Sequence, residues 1–582
     1  MTADASPHAE RASRFRWTPA LGIVTAAAVL RLIFAALIPV FPDETYYWDW
    51  SRHLAPGYFD HPPVIALLIR FGTAVLAPFG AGATAFAVRL GPVIASWIAA
   101  LATVGIARRI GGERAATRAA ILITVLPLAA AGLILATPDS PLLAATAVGL
   151  YCTVRALESS PGSRDLLAWW VLTGLSLGVA FSSKFTSIFL PVAVTLAIVA
   201  RPSLRARLRE PGPYVACAIA TIVFLPVLLW NAQHEWIAFA YQVRHGLSAS
   251  KGSALRAAWR HEGDFFGGQA ALASPIIFIM LAIAVGRALK RDSAHDRAAD
   301  VRFVLAMVSL VSFGFFIYSA LRQRVEPNWP SPAYIPAIAL LATTTWSVSG
   351  ERWLKAGVVL AAAMSLLIYA QGIVPILPIR PAKDPIARAY GWKELTARAE
   401  AAAQSATSET HAATWLGGDR YQEASELAFH SSSHPTTFAT NLSGRPNQYD
   451  LWPGFAATAR RGDNLVLVLD ESDDVPAPIT QLSPHFTSVH RGELVTLRRG
   501  QGVIGMRRLW ILKGWHPTQQ ILFRISSAQR PAPSAYRLLL TPSKSLSSCR
   551  CSSSERVPTA SSSASFIAAS SWLSTSSPLD VM

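Results

Sequence analysis

The chain has 582 residues, of which 52% are hydrophobic and 15% charged, and its 52 Lys and Arg against 35 Asp and Glu give a formal net charge of +17. So little charge, set among so many long apolar runs, excludes a soluble protein of this size and marks an integral membrane protein. The basic residues are scattered over short connections rather than gathered on one face, which argues against nucleic acid as a partner, and the four cysteines form neither a disulfide framework nor a metal-binding pattern.

Residues 1–19 read as a cytoplasmic N-terminus, with Arg11, Arg14 and Arg16 ahead of an apolar stretch over 20–40. That stretch is too long for a cleaved leader and lacks a small-residue cleavage site, so it is expected to be a retained signal anchor. Further segments long enough to cross a hydrocarbon core of ~30 Å fall near 84–108, 115–135, 139–157, 166–183, 185–200, 212–230, 270–289, 302–321, 331–348 and 353–373, which makes about eleven transmembrane helices. With the N-terminus inside, every cytoplasmic connection is basic, from Arg108, Arg109, Arg114 and Arg118 to Arg352 and Lys355. The opposite connections, above all 41–83 and 231–268, hold the acids, histidines and most interfacial tryptophans. Chemistry is therefore expected on the extracytoplasmic face.

An odd number of crossings sends residues 376–500 outward, where hydropathy falls and a small α/β domain is expected. Its elements are a helix over 385–405, a strand over 412–416, a helix over 421–429 and a buried strand over 464–469. Residues 501–582, rich in Ser, Pro, Arg and Ala, read as a mostly disordered tail. The fold class is thus an all-α polytopic membrane protein with a small C-terminal α/β domain on the extracytoplasmic side.

Candidate chemistry begins at Phe41-Pro42-Asp43-Glu44-Thr45-Tyr46-Tyr47-Trp48-Asp49-Trp50. Pro42 is expected to break the first span so that Asp43 and Glu44 are presented at the membrane surface, among aromatics suited to a sugar or lipid headgroup. The bland alternative is interfacial solvation, the reading given to Asp49. Phe59-Asp60-His61-Pro62-Pro63 sets a carboxylate beside an imidazole, where one could bind metal and the other phosphate; the alternative is a cap for the apolar helix over 64–77. Asp139, confined between two spans, reads as a site residue or a helix N-cap. Lys184, equally confined, must snorkel or meet an anion, and an anion is the favoured account. Three histidines in the 231–268 connection, His234, His245 and His261, raise the case for a metal opposite Asp60 over simple exposure. Arg322 and Arg324 suit a phosphate, with snorkelling as the cheaper account.

In this order the residues resemble the bacterial branch of the GT-C glycosyltransferases, the dolichyl-phosphate-mannose protein mannosyltransferase-like family, which includes lipid A aminoarabinose transferase and the transferases that add galacturonic acid to lipopolysaccharide. The resemblance covers about 20–375 and Asn447-Gln448-Tyr449-Asp450-Leu451-Trp452. It implies a GT-C fold and an inverting transfer of a sugar from a polyprenyl-phosphate carrier to an extracytoplasmic acceptor: lipid A or lipopolysaccharide, another envelope glycan, or a protein. Asp43, Glu44 and Asp139 would be catalytic, with Asp43 orienting the acceptor or taking its proton. Tyr46, His61, Lys184, Arg322 and Arg324 would meet substrate and phosphate. A divalent metal (Mg, Mn or Zn) would sit on Asp60 and His245, with His234 as second choice for the latter. The chain departs from the pattern in carrying His61 where the aminoarabinose enzymes carry lysine. The implied setting is the bacterial inner membrane, with membrane lipids as surroundings.

Two rival readings belong to other classes. A lipid-linked sugar flippase or transporter calls for ionisable residues near the middle of spans and an internal repeat, and neither is visible. A non-catalytic envelope assembly subunit calls for Asp43, Asp60, Asp139 and Lys184 to lie far apart.

Overall fold

The computed structural model describes residues 18–247, 254–290, 297–442 and 445–517, with the side chains of 245–247 and 254–257 excepted. The chain enters helix α1 (Pro19–Leu37) through Thr18, whose hydroxyl accepts the Leu21 N–H, with Pro19 at the first helical position where its missing donor costs nothing. The connection expected over 41–83 is largely helical. Pro42 does not leave a loop behind it; it starts α2 (Pro42–Arg52), and the Glu44 carboxylate reaches back to the Phe41 N–H at 3.0 Å to close the first turn. Helix α3 (Val64–Leu76) follows.

Then come α4 (Ala85–Val125), α5 (Pro127–Gly132), α6 (Asp139–Glu158), α7 (Arg164–Phe181), α8 (Phe189–Ala200), α9 (Gly212–Gln233), α10 (Ile237–Leu247), α11 (Ala254–Ala273), α12 (Pro275–Leu289), α13 (Arg297–Ala320), α14 (Tyr334–Thr343) and α15 (Val348–Ile373). Among the described residues seven helices are long and apolar enough to cross a membrane, or up to nine if each of two bent pairs is one span. The sequence suggests about eleven, and the difference of two has two sources. Expected spans 84–108 and 115–135 lie largely in the single run α4, interrupted only at Gly112 (φ +69°, ψ −162°), and 331–348 yields the ten-residue α14. Close packing of α7 on α9 depends on small residues: a Cβ at Gly174 would stand 2.5 Å from the Ala216 carbonyl oxygen.

The C-terminal layer carries α16 (Trp392–Thr410), β1 (Thr414–Gly418), α17 (Tyr421–His430), β2 (Thr437–Ala439), β3 (Asn464–Asp470), β4 (Phe486–Arg499) and β5 (Gly502–Trp515). The strands form one sheet in the order β2-β1-β3-β5-β4, with β1 parallel to β2 and β3, and β5 antiparallel to β3 and β4. The sheet therefore runs past the boundary expected at 500. Strand β5 is hard to see in sequence because Arg507 and Arg508 interrupt its apolar pattern. Both charges are paired, Arg507 with Asp470 at 2.5 Å and Arg508 with Glu471 at 2.7 Å. The rest of the expected tail, from 518 on, lies outside the described residues.

Helix α17 packs on α2, joining the C-terminal layer to the segment that follows α1. The contact is aromatic: Tyr46 lies 4.3 Å from Tyr421 and 6.0 Å from Tyr449, ring centre to centre, and Trp48 meets Phe429 edge-on at 5.0 Å. The aromatics that read as a sugar or headgroup surface are thus mostly interior, holding α2 between the membrane helices and the sheet layer.

Candidate active site

Glu44, 1% exposed, is saturated. Its Oε1 accepts from Arg89 Nε and the Ala136 N–H, both at 2.8 Å, and its Oε2 from Arg89 Nη2 at 2.5 Å and the Phe41 N–H at 3.0 Å. Arg89 on α4 is fully buried and gives its other N–H groups to the carbonyls of Ala35 (2.9 Å), Ile38 (2.7 Å) and Pro39 (2.8 Å), where α1 ends. All five guanidinium donors are in use. This pair fixes the end of α1, the start of α2 and the turn before α6 in one arrangement.

Asp43, one residue earlier, is only partly buried and accepts the Tyr421 hydroxyl proton from α17 at 2.9 Å. Enclosure raises its carboxyl above the usual carboxylate range. The Tyr421 hydrogen bond and then the Arg388 and Arg445 charges oppose that rise, and Asp60 adds to it. Asp60 takes the Tyr46 hydroxyl proton at 2.7 Å, and the Tyr46 oxygen in turn accepts the Gln448 N–H at 2.7 Å. The other Asp60 oxygen faces Arg445 at 3.3 Å. Gln448 also accepts the Phe59 N–H at 2.8 Å, so the Asn447-Gln448-Tyr449 stretch grips the Phe59-Asp60 segment directly. Arg445 lies over the rings of Tyr241 and Tyr421, each 5.6 Å away, and hydrogen-bonds the Tyr241 hydroxyl.

Asp139 opens α6, but its carboxylate does not cap the helix. One oxygen takes Lys184 Nζ and the other Asn328 Nδ2, both at 2.8 Å. Lys184 thus has its anion within the protein, and its turn is tied to the first connection by the Val64 N–H to Ser182 carbonyl bond at 3.2 Å. Tyr47 shows how close these groups are. Burial raises its hydroxyl pKa well above the ordinary value, the charges of Asp43, Asp60 and Asp139 raise it further, and Arg445 opposes them. Three of the predicted acids therefore bear electrostatically on the same hydroxyl.

The family model of dolichyl-phosphate-mannose-protein mannosyltransferases matches residues 60–230. A lipid A galacturonosyltransferase, RgtD, of Rhizobium johnstonii is 29% identical over 375 residues, 64% of this chain and 74% of the relative. The undecaprenyl phosphate-alpha-4-amino-4-deoxy-L-arabinose arabinosyl transferase of Edwardsiella ictaluri is 30% identical over 208 residues, 33% of this chain and 36% of the relative. Among solved structures, ArnT from Cupriavidus metallidurans in the apo state superposes with a TM-score of 0.54 at 14% identity, covering 84% of this chain and 97% of that one. The chain is a membrane glycosyltransferase with a GT-C fold.

Not every residue predicted for this transferase converges on the pocket. Tyr46, 2% exposed, acts as a strut for Asp60. His61 stands beside Tyr47, ring centres 6.3 Å apart. His234 stacks on Trp230 at 4.0 Å, with Nδ1 2.8 Å from the Trp230 carbonyl oxygen. The His245 side chain lies outside the described residues. Arg322 hydrogen-bonds Tyr318, and Arg324 faces Glu326 at 3.7 Å; both arginines are exposed. Asp49 corrects the reading of ordinary surface charge: it is 4% exposed, bridged by Arg52 at 3.0 Å and by the Tyr449 hydroxyl at 2.7 Å.

The metal expected on Asp60 and His245 rests in part on a side chain, His245, that lies outside the described residues. Among the described residues no group of three or more His, Cys, Asp and Glu converges as metal ligands would, and Asp60 already faces a guanidinium where a cation would be repelled. Sequence reasoning missed Arg445, Tyr421, Arg388 and Arg89. Only the Asn447-to-Trp452 segment, beside Arg445, gave any signal.

Proposed function

We propose that the transferase moves a sugar from a polyprenyl-phosphate carrier to a lipid acceptor of the lipid A or lipopolysaccharide class on the extracytoplasmic side of the bacterial inner membrane, with its N-terminus cytoplasmic and its α/β domain outside. Both sequence relatives are named for sugar transfer, one of them to lipid A, and ArnT has been solved with undecaprenyl phosphate bound. The observation that carries the reading is Asp43: a partly open carboxylate with a single hydrogen bond, from Tyr421, whose ring lies under the Arg445 guanidinium that also faces Asp60, at the junction of α2 with α17.

The acceptor hydroxyl attacks the anomeric carbon on the face opposite the carrier phosphate. The anomeric C–O bond to phosphate breaks, its electron pair leaves with the phosphate, and the configuration inverts. Asp43 takes the hydroxyl proton, a task suited to a carboxyl whose pKa enclosure has raised. Arg445 and Lys184 supply positive charge for the leaving phosphate. Glu44, with both oxygens committed, and Asp139, held by Lys184 and Asn328, position this machinery. No step is assigned to a metal. The assembly-subunit rival needed the four key residues far apart; the 2.8 Å Asp139–Lys184 pair and the shared surroundings of Tyr47 favour an enzyme.

Asp43→Asn in membranes supplied with the lipid-linked sugar is expected to reduce transfer by about 10²–10⁴-fold without loss of folded protein. Transfer at the wild-type rate in that variant would overturn the assignment of Asp43. Mass spectrometry of lipid A and core oligosaccharide from a deletion strain identifies the acceptor.

A further inference from the structure

The chain leaves α15 through Val374-Pro375-Ile376-Leu377-Pro378-Ile379-Arg380-Pro381-Ala382-Lys383. This segment is not buried under the α/β layer to which it leads. Ile373 is 57% exposed, Val374 56%, Ile376 53% and Ile379 41%, so large aliphatic side chains stand open directly at the end of a membrane-spanning helix. The backbone is equipped for surroundings other than water. Pro375 and Pro378 have no N–H, and every other N–H from Val374 to Ile379 is bonded within the protein. Val374 donates to the Ala370 carbonyl at 2.8 Å, Ile376 and Leu377 both donate to Gln371 Oε1 at 2.9 Å, and Ile379 donates to the Leu377 carbonyl at 2.7 Å. An exposed irregular segment in water has no need of this, because solvent meets its donors. One that touches lipid does, because an unmet N–H there is costly.

Directly beyond the apolar run the open charge is of one sign. Arg380 and Lys383 are exposed, and among the described residues neither has an ion pair. The one acid between 371 and 390, Asp384, is buried and neutralised by Arg499 of β4 at 2.5 Å. The turn between β4 and β5 lies against the same stretch and repeats its composition. A Cβ at Gly502 would stand 2.6 Å from Pro381 Cγ, and next to it Val503, 44% exposed, pairs in register with the exposed Arg498.

We propose that residues 373–383 and the β4–β5 turn form an interfacial anchor on the outer leaflet, with the aliphatic side chains at the acyl boundary and Arg380, Lys383 and Arg498 on the phosphates of anionic phospholipids. The side of the membrane follows from the topology given above; the lipid contact does not depend on it or on the transferase reading. Arg499, which also bonds the Gln371 and Gly372 carbonyls, joins the anchor to the sheet layer.

Two measurements on the full-length chain in nanodiscs test the anchor. A nitroxide on Ile376→Cys, with the four native cysteines replaced by alanine, reports its surroundings through collisions with oxygen, which concentrates among acyl chains, and with a water-soluble nickel chelate. A nitroxide on Asp473→Cys, at an exposed position of the α/β layer, is the reference. Position 376 is expected to favour oxygen and position 473 nickel; the same preference for nickel at both would overturn the anchor. For the headgroups, melting temperatures are compared between nanodiscs of phosphatidylcholine alone and nanodiscs with added phosphatidylglycerol. The wild type is expected to melt higher with phosphatidylglycerol, and the triple variant Arg380→Gln, Lys383→Gln, Arg498→Gln is expected to lose that rise. An equal rise in both proteins, no rise in the wild type, or the same rise from glycerol phosphate in solution would overturn the role given to the three cations.

Discussion

The Arg89–Glu44 clamp and the Asp43–Asp60 site meet at two consecutive residues of α2 and treat charge in opposite ways. In the clamp every donor of the guanidinium and both oxygens of the carboxylate are taken, with side chains at most 1% exposed. In the pocket Asp43 has one hydrogen bond and an open side, and Arg445 stays 47% exposed. A saturated buried pair has no capacity left for a substrate; its work is to fix backbone. An undersaturated pair keeps donors and acceptors free for a substrate to complete. Adjacent acids in a sequence therefore need not share a task.

Perturbing the clamp should cost folding, and perturbing the pocket should cost turnover. The largest effect after Asp43→Asn is expected from Arg89→Met, which leaves Glu44 buried without its counter-charge and should destabilise the protein by about 3–5 kcal/mol, read as a lower melting temperature and poor yield in detergent. Arg445→Ala should leave melting nearly unchanged but raise the donor KM by roughly 10–100-fold, the worth of about 1.5–3 kcal/mol for hydrogen bonds to a charged group, with Arg445→Lys recovering only part. A melting loss as large as that of Arg89→Met would place Arg445 with the clamp instead.

A smaller change is expected from Tyr421→Phe. Asp43 works deprotonated, so transfer falls as pH drops through its raised pKa. Removing a hydrogen bond that lowers that pKa should move the acid limb of the pH–rate profile to higher pH, by about one unit or less. An unmoved limb would mean that another group sets it. The smallest effect is expected from Arg324→Ala, which breaks only an exposed pair at 3.7 Å: less than about 0.5 kcal/mol in stability and no change in transfer. A clear loss of transfer would restore the phosphate role that the sequence suggested for it.

The parts of the site legible in sequence were those where apolar neighbours made polarity costly. Asp43, Asp139 and Lys184 stood out because carboxylates and ammonium groups between apolar runs need a partner, and two of them proved to be each other's. Hidden were the partners contributed from the far end of the chain. Tyr421 reaches the first connection across 378 residues, and Arg445 across a similar span, and nothing local in either segment announces a contact of that range. Asp49 was misjudged because nothing in the run from Pro42 to Arg52 reveals that its polar side faces Tyr449 rather than water. The α/β class was legible from periodicity, whereas β5 was not, since its paired arginines imitate a solvated turn.

The position of β5 carries a consequence for biogenesis. Among the described residues it is the last strand made, yet it lies between β3 and β4, so until residue 515 has left the ribosome β3 has an unpaired edge and β4 has no partner in the sheet. The membrane helices can be inserted long before then, but α17 cannot be held firmly on α2 by an unfinished layer. Sugar transfer should therefore wait until β5 has been made and has taken its place between β3 and β4.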